Sequence, residues 1–346
     1  MRYILPLAAI AITAFLSISG PGYSTNYTIY YQSELDGDSI IYKYDASGPI
    51  PATQPGCVHP SVTSNGSMLF YSRIAETAWG NFWNVFYLMD GEEHKLTRNE
   101  IYDEIDPIIS HDGSIATFTS MRQGNLEIIT YPMNEDELAF RITNSPKPDQ
   151  EPSFGGSGEY VYWTGRTGNH SYIFKAPGRG GAPVRISSDG VGWEEHPSIS
   201  YDGRYIAYVS VLRDVDAAID SDGDSEEDKN FGKYPGMGGG ADIPDVEEDE
   251  QEEEEVFEGE EIEDLMIWTA EGNYDIWVYD SVTNERTQLT SDLAYDANPC
   301  ISSDGMVIVF TSDRDGDNEI FMINRDGTGL TQLTFNDVND DNATIN

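Results

Sequence analysis

The fold this sequence predicts is all-β: a six-bladed β-propeller. Three observations carry that prediction. A proline followed by a tight-turn pair recurs at a period of about 45 residues. Each period holds four strand-like segments. The C-terminal segment reads as the first strand of a unit whose other three strands stand near the N-terminus.

The recurring segments are HPSVTSNGSMLFYS from His59, DPIISHDGSIATFTS from Asp106, EPSFGGSGEYVYWTG from Glu151, HPSISYDGRYIAYVS from His196 and NPCISSDGMVIVFTS from Asn298. Their prolines lie 47, 45, 45 and 102 residues apart, the last interval holding one repeat and an insertion. In each unit a short strand follows the proline. An Asp-Gly or Asn-Gly pair then makes a hairpin turn, because these residues tolerate positive φ. An alternating apolar strand comes next, such as Ile206-Ala207-Tyr208-Val209, and a polar turn leads to a third, such as Glu319–Ile323. The fourth carries Leu-Thr or a variant: Leu96-Thr97, Ile142-Thr143, Ile186-Ser187, Leu289-Thr290 and Leu333-Thr334.

The ends supply the sixth blade. Asp341-Asn342-Ala343-Thr344-Ile345 begins a unit and stops, while Tyr27–Tyr31 and Ser39–Lys43 read as second and third strands. Pairing the C-terminal strand with the N-terminal three closes the ring and leaves no long open sheet edge.

The unit of an acidic residue, Pro, Ser-x-Asp-Gly, then Phe-x-Ser-x-Arg-x-Gly-x-x-x-Ile and Leu-Thr, resembles the TolB-like propeller repeats, a WD-repeat-like group. Phe310–Ile320 is the nearest match to that pattern. The resemblance implies an exported scaffold that binds a protein, peptide or glycan at one face of the disc, and implies a monomer. Related repeats also occur in polysaccharide lyases, where histidines hold a metal at the axis, and before the hydrolase domain of prolyl-oligopeptidase-like enzymes. A metal-assisted lyase or hydrolase at the axial mouth is therefore the alternative. The sequence offers no catalytic residue: it has no Gly-x-Ser-x-Gly nucleophile elbow, and Gly178–Gly181 reads as a turn before a strand, not a phosphate loop.

Residues 1–24 read as a signal peptide: Arg2, an apolar run from Tyr3 to Leu16, then small residues and a Gly-Pro-Gly break. Cleavage would leave residues 25–346 as a propeller with no membrane span, in the periplasm or outside the cell. The formal net charge of -43 gives no electrostatic attraction to nucleic acid. About half of that charge sits in one insertion within blade five, residues 214–264, where 23 Asp and Glu face only Lys229 and Lys233. Such a composition cannot bury enough apolar surface to order itself, so a disordered segment is expected. Calcium-responsive docking through it is a third functional reading, and the spacing Asp220, Asp222, Asp224, Glu226 would suit weak Ca²⁺ binding. The similar run Asp313–Glu319 occupies the slot of a hairpin turn between second and third strands, which already accounts for its Asp, Gly and Asn.

In a propeller the strand after the proline is innermost. The residue before it should then sit on a ring at one mouth of the axial channel: His59, Asp106, Glu151, His196, Asn298 and the equivalent Asn342. His59 and His196 fall on opposite blades, with Asp106 and Glu151 on the two between. Two imidazoles and two carboxylates form a donor set for a transition metal or Ca²⁺. The plainer account is a set of polar residues at a wet mouth, since metal bonds reach only about 2.0–2.6 Å. Two positions earlier stand Cys57, Glu104, Asp149, Glu194, Asp296 and Asp340, acids that could line the mouth or accept backbone N–H bonds at each blade connection. A disulfide between Cys57 and Cys300 would need Cα atoms within about 7 Å.

Overall fold

The computed structural model describes residues 27–213 and 272–346, apart from 36, 98–100, 123, 134–138, 168–169 and 188–191. The signal segment, the acidic insertion and its Asp220–Glu226 motif lie outside the described residues.

Strands β1 (Ile29–Leu35), β2 (Asp38–Asp45) and β3 (Gly48–Pro51) begin the first sheet. Blade two is β4 (Cys57–Val62), β5 (Met68–Thr77), β6 (Gly80–Met89) and β7 (Glu92–Lys95). Blade three is β8 (Glu104–Ile109), β9 (Ile115–Ser120), β10 (Glu127–Pro132) and β11 (Phe140–Arg141). Blade four is β12 (Asp149–Gly155), β13 (Tyr160–Thr167), β14 (His170–Pro177) and β15 (Val184–Arg185). Blade five is β16 (Gly192–Ile199), β17 (Tyr205–Arg213), β18 (Gly272–Asp280) and β19 (Glu285–Gln288). Blade six is β20 (Asp296–Ile301), β21 (Val307–Ser312), β22 (Glu319–Asn324) and β23 (Thr331–Gln332). Finally β24 (Asp340–Ile345) pairs antiparallel with β1, giving the order β24-β1-β2-β3 and six four-stranded sheets.

The first strands β4, β8, β12, β16, β20 and β24 each contact the next around a closed ring, so they are innermost. Apolar side chains on alternate positions meet between sheets, and six buried clusters result, one at each blade junction. Val209, Ile276, Ile308 and Phe310 lie between blades five and six; Ile29, Val309, Ile320 and Ile345 lie between six and one. Each fully buried Ile or Phe contributes about 1.5–3 kcal/mol.

Two polar motifs fix the local geometry. In the Ser-x-Asp-Gly turn, Ser110, Ser200 and Ser302 donate to the Asp two residues on at 2.6–2.8 Å, and the following Gly takes φ of 69–77°. In the Leu-Thr motif the hydroxyl accepts the first apolar N–H of the third strand. Thr143, Thr290 and Thr334 do so from Ile128, Ile276 and Ile320 at 2.8–2.9 Å. Blade one achieves the same with Thr53 and Ile41 N at 3.1 Å.

Candidate functional site at the axial mouth

Every innermost strand carries a bulge at the same place. The register shifts between Val58 and Ser61, Ile105 and Ile108, Gln150 and Ser153, Glu195 and Ser198, and Ala297 and Cys300, with the counterpart between β1 and β24. At each bulge one residue is left-handed: His59, Asp106, Glu151, His196, Asn298 and Asn342 have φ between 50° and 55°. These are the six ring residues. The proline after five of them lacks the N–H a regular ladder would need, so it sits naturally at a bulge. Asn, Asp and His tolerate this conformation better than most side chains, so the backbone requirement accounts for part of the ring's polar composition. Glu151 is the exception and carries the strain, about 1–2 kcal/mol.

Five of the ring residues make side-chain contacts with one another or with Asp341. His59 Nδ1 lies 2.8 Å from Asp106 Oδ1. His196 Nε2 lies 3.3 Å from Glu151 Oε1, and Glu151 Oε2 accepts from Thr164 Oγ1 at 2.7 Å and from His196 N at 3.0 Å. Asn298 Nδ2 donates to Asp341 Oδ1 at 2.8 Å, and Thr311 Oγ1 donates to the same atom at 2.6 Å. All six ring residues are half-buried.

Their charges interact around the ring. Burial works against protonated His59, but Asp106 and Asp341 outweigh it and hold its imidazole above the ordinary histidine range. Burial and neighbouring Glu151 push the Glu195 carboxyl up, although Ser171 Oγ donates to it at 2.7 Å. The Tyr295 hydroxyl is raised by burial and by Asp341, Tyr274, Glu195 and Glu151. Its ring packs against Tyr274 with centroids 4.8 Å apart. Glu195, Asp341 and this tyrosine pair are functional candidates that sequence reasoning missed. Glu195 and Asp341 each stand one residue before a ring position, so the aligned repeats held that signal; the tyrosines carried none.

The predicted four donors form two imidazole–carboxylate contacts, His59 with Asp106 and His196 with Glu151. Among the described residues no group of three or more His, Cys, Asp or Glu side chains is arranged to hold a metal ion. The earlier register lies deeper. Glu104, Asp296 and Asp340 are wholly buried, with Asp149 and Glu194 nearly so. Their described partners are side chains, where backbone N–H groups were expected. Arg122 reaches Glu104 at 3.4 Å, Trp163 Nε1 reaches Asp149 at 2.9 Å and Arg286 reaches Glu194 at 2.8 Å. Arg314 reaches Asp296 at 2.8 Å, and Asn336 Nδ2 reaches Asp340 at 2.8 Å. Cys57 and Cys300 are free thiols. The disulfide considered from sequence is absent because β24 intervenes, and Cys300 Sγ faces Thr344 Oγ1 at 3.7 Å.

A likeness to solved structures matches this architecture. TolB from Acinetobacter baumannii superposes with a TM-score of 0.63 at 16% identity, covering 94% of this chain and 68% of that one. The fold is that of a TolB-like propeller. A putative TolB from Agrobacterium tumefaciens aligns over 90% of both chains at 16% identity and a TM-score of 0.54. An oligogalacturonate lyase in complex with manganese aligns over 90% of this chain and 74% of its own, at 13% identity and a TM-score of 0.54. No family model matches the sequence, and comparison with curated protein sequences returned no match. Among the described residues no helix is long and apolar enough to cross a membrane.

Proposed function

We propose that this TolB-like propeller is an exported, non-enzymatic scaffold that takes a basic segment of a protein or peptide at its axial mouth. One observation carries the reading: the mouth concentrates the carboxylates of Asp106, Glu151, Glu195 and Asp341, within electrostatic reach of one another's neighbours and beside the Tyr274–Tyr295 pair. Carboxylates pair with lysine or arginine at twice the strength of neutral hydrogen bonds, and tyrosine faces attract the same cations. The net charge of -43 would further speed the encounter with a cationic partner.

The competing reading is a metal-assisted lyase or hydrolase at the same mouth, with His59, Asp106, Glu151 and His196 as ligands. The two imidazoles on the ring favour it. Against it, a polyanionic sugar such as an oligogalacturonate would meet four carboxylates there. Titration of a fluorescent Lys/Arg peptide into the full chain tests the proposal, alongside the triple variant Glu151→Gln, Glu195→Gln, Asp341→Asn. The variant changes the net charge by 3 out of 43, so binding spread over the whole acidic surface would barely fall. Loss of tenfold or more in affinity supports the mouth; unchanged affinity removes it. Stoichiometric transition metal in the purified protein, lost in His196→Ala, would favour the enzyme instead.

A further inference from the structure

The hairpin of β5 and β6 rises from the disc on its mouth side. β5 has 10 residues where β9 and β21 have 6. All three strands start two residues after the turn glycine (Gly66, Gly113 or Gly305), so the additional residues of β5, 74–77, lie at its far end. They pair with residues 80–83 of β6. Cys57, the first residue of β4, pairs with Arg73. The additional rungs therefore stand beyond the innermost strand, at the end of the blade where His59 meets Asp106. At the rise of an antiparallel strand, four residues project roughly 13 Å.

The projecting hairpin is braced, and it presents apolar side chains to water. At its tip Thr77 Oγ1 donates to Gly80 O at 2.9 Å and accepts from Trp79 N at 3.1 Å. Trp79 is held there 70% exposed. Ile74 and Trp83 are a cross-strand pair, so their side chains share one face. Ile74 is 42% exposed and Trp83 half-buried. The flanking strand β7 reaches only as far as Phe86 on β6. Beyond it the loop before β8 takes over, and Trp83 N donates to Asp103 Oδ1 at 2.8 Å. Two residues before Asp103 on that loop stands Ile101, 60% exposed. A tryptophan and two isoleucines are thus carried to solvent by two elements bonded to each other, and exposed apolar side chains grouped in this way mark an interaction surface.

We propose that the β5–β6 hairpin and the loop before β8 form an apolar shelf beside the mouth, and that Trp79, Ile74 and Ile101 there take a bulky apolar side chain of the same protein segment whose Lys or Arg residues enter the mouth. The inference rests on the reading of the mouth as a site for a basic segment, and it narrows the partner to an amphipathic one. Charge chooses the occupant. Glu76 is exposed on the hairpin, and Asp106 of the ring follows Asp103 by three residues. An apolar residue that docks here is therefore best accompanied by cations, and the indole face of Trp79 attracts the same cations. A second copy of this chain would bring a further net charge of -43, which repels it. Tryptophan is among the residue types that most often anchor an interface, and a braced hairpin presents it at little cost in conformational entropy.

The test compares two fluorescent peptides of identical charge on the full chain. Both carry the same Lys/Arg core, flanked by Leu and Phe in one and by Ser in the other. Electrostatic binding to the rest of the acidic surface is common to both, so their difference reports the shelf. The proposal predicts that the Leu/Phe peptide binds about fivefold tighter or more, the size of one anchoring contact. That advantage should disappear in Trp79→Ser and shrink in Ile101→Ser. Both side chains are exposed, so neither substitution opens the core. It should persist in Val282→Ser, a control 69% exposed on the turn between β18 and β19, at the opposite face. Equal affinity of the two peptides, or an advantage that survives Trp79→Ser and Ile101→Ser, overturns the shelf and leaves the mouth standing. Failure of both peptides to bind removes the mouth reading and the shelf with it. A neutral oligosaccharide that binds the full chain and is lost in Trp79→Ser would make the hairpin a sugar platform and also overturn the proposal.

Discussion

Replacing Arg314 by methionine isolates the value of one buried ion pair. Arg314 Nη2 reaches both oxygens of Asp296, at 2.8 and 2.9 Å, and Asp296 is wholly buried. Its remaining donors are the hydroxyls of Ser312 and Thr290. Removing the cation leaves a buried carboxylate uncompensated, which costs about 3–5 kcal/mol. Arg314 also contacts half-exposed Asp292 at 3.2 Å, a contact that adds less than about 1 kcal/mol. Its guanidinium sits 4.7 Å above the Phe321 ring, and methionine keeps part of that packing. Urea unfolding at several pH values is the assay. Burial already holds the Asp296 carboxyl above its ordinary value, with Ser312 and Arg314 pulling it down. Without Arg314 it rises further. A carboxyl raised in the folded state binds its proton more tightly there, so the deficit shrinks as pH falls from about 8 toward the unfolded value near 3.9. The double variant Arg314→Met, Asp296→Leu should recover most of the loss. A deficit under about 1 kcal/mol, or one that acid does not reduce, would refute the reasoning.

Three further outcomes are expected. Asn298→Gly should be more stable than Asn298→Ala by about 1 kcal/mol in urea unfolding: both lose the bond to Asp341, and only alanine places a Cβ at φ 50°. Thr290→Val should cost about 1–3 kcal/mol, because it orphans Ile276 N, bonded at 2.9 Å, and removes a donor to buried Asp275, whereas Thr290→Ser should cost much less. His59 is raised by Asp106 and Asp341, so its ion pair stabilises fully below the ordinary value near 6.5 and fades as pH rises through the higher folded value. Relative to His59→Asn, the unsubstituted protein should therefore lose stability as pH rises, and parallel pH profiles would contradict this.

Much of the architecture was legible because each repeat states its own register. Proline, Ser-x-Asp-Gly and Leu-Thr mark a bulge, a turn and a third-to-fourth strand bond, and the same atoms meet wherever the letters recur. Strand order and ring closure follow from that grammar. The six aligned positions share one left-handed backbone, at His59 and its five counterparts, which accounts for part of their restricted residue types. What the letters could not show is which partner each acid finds. Glu104 and Asp296 occupy equivalent slots with arginines beside them, while Asp340 is met by the neutral donors Ser33, Asn336 and Thr334. Arg122 and Arg314 hold the same place in the Phe-x-Ser-x-Arg repeat, whereas Trp163, Arg286 and Asn336 come from a second strand, a fourth strand and a loop, so the partner changes from blade to blade. Tyr274 and Tyr295 escaped notice for the same reason: β18 and the loop before β20 bring them together, and neither belongs to the repeat.

Hydrogen–deuterium exchange with and without a Lys/Arg peptide tests the central claim most directly, because it reports where the ligand sits. The account predicts slowed exchange at the bulged segments of β8, β12, β16 and β24, around Asp106, Glu151, Glu195 and Asp341. Protection confined to residues 214–264, or to the opposite face with its Asp-Gly turns, would contradict it.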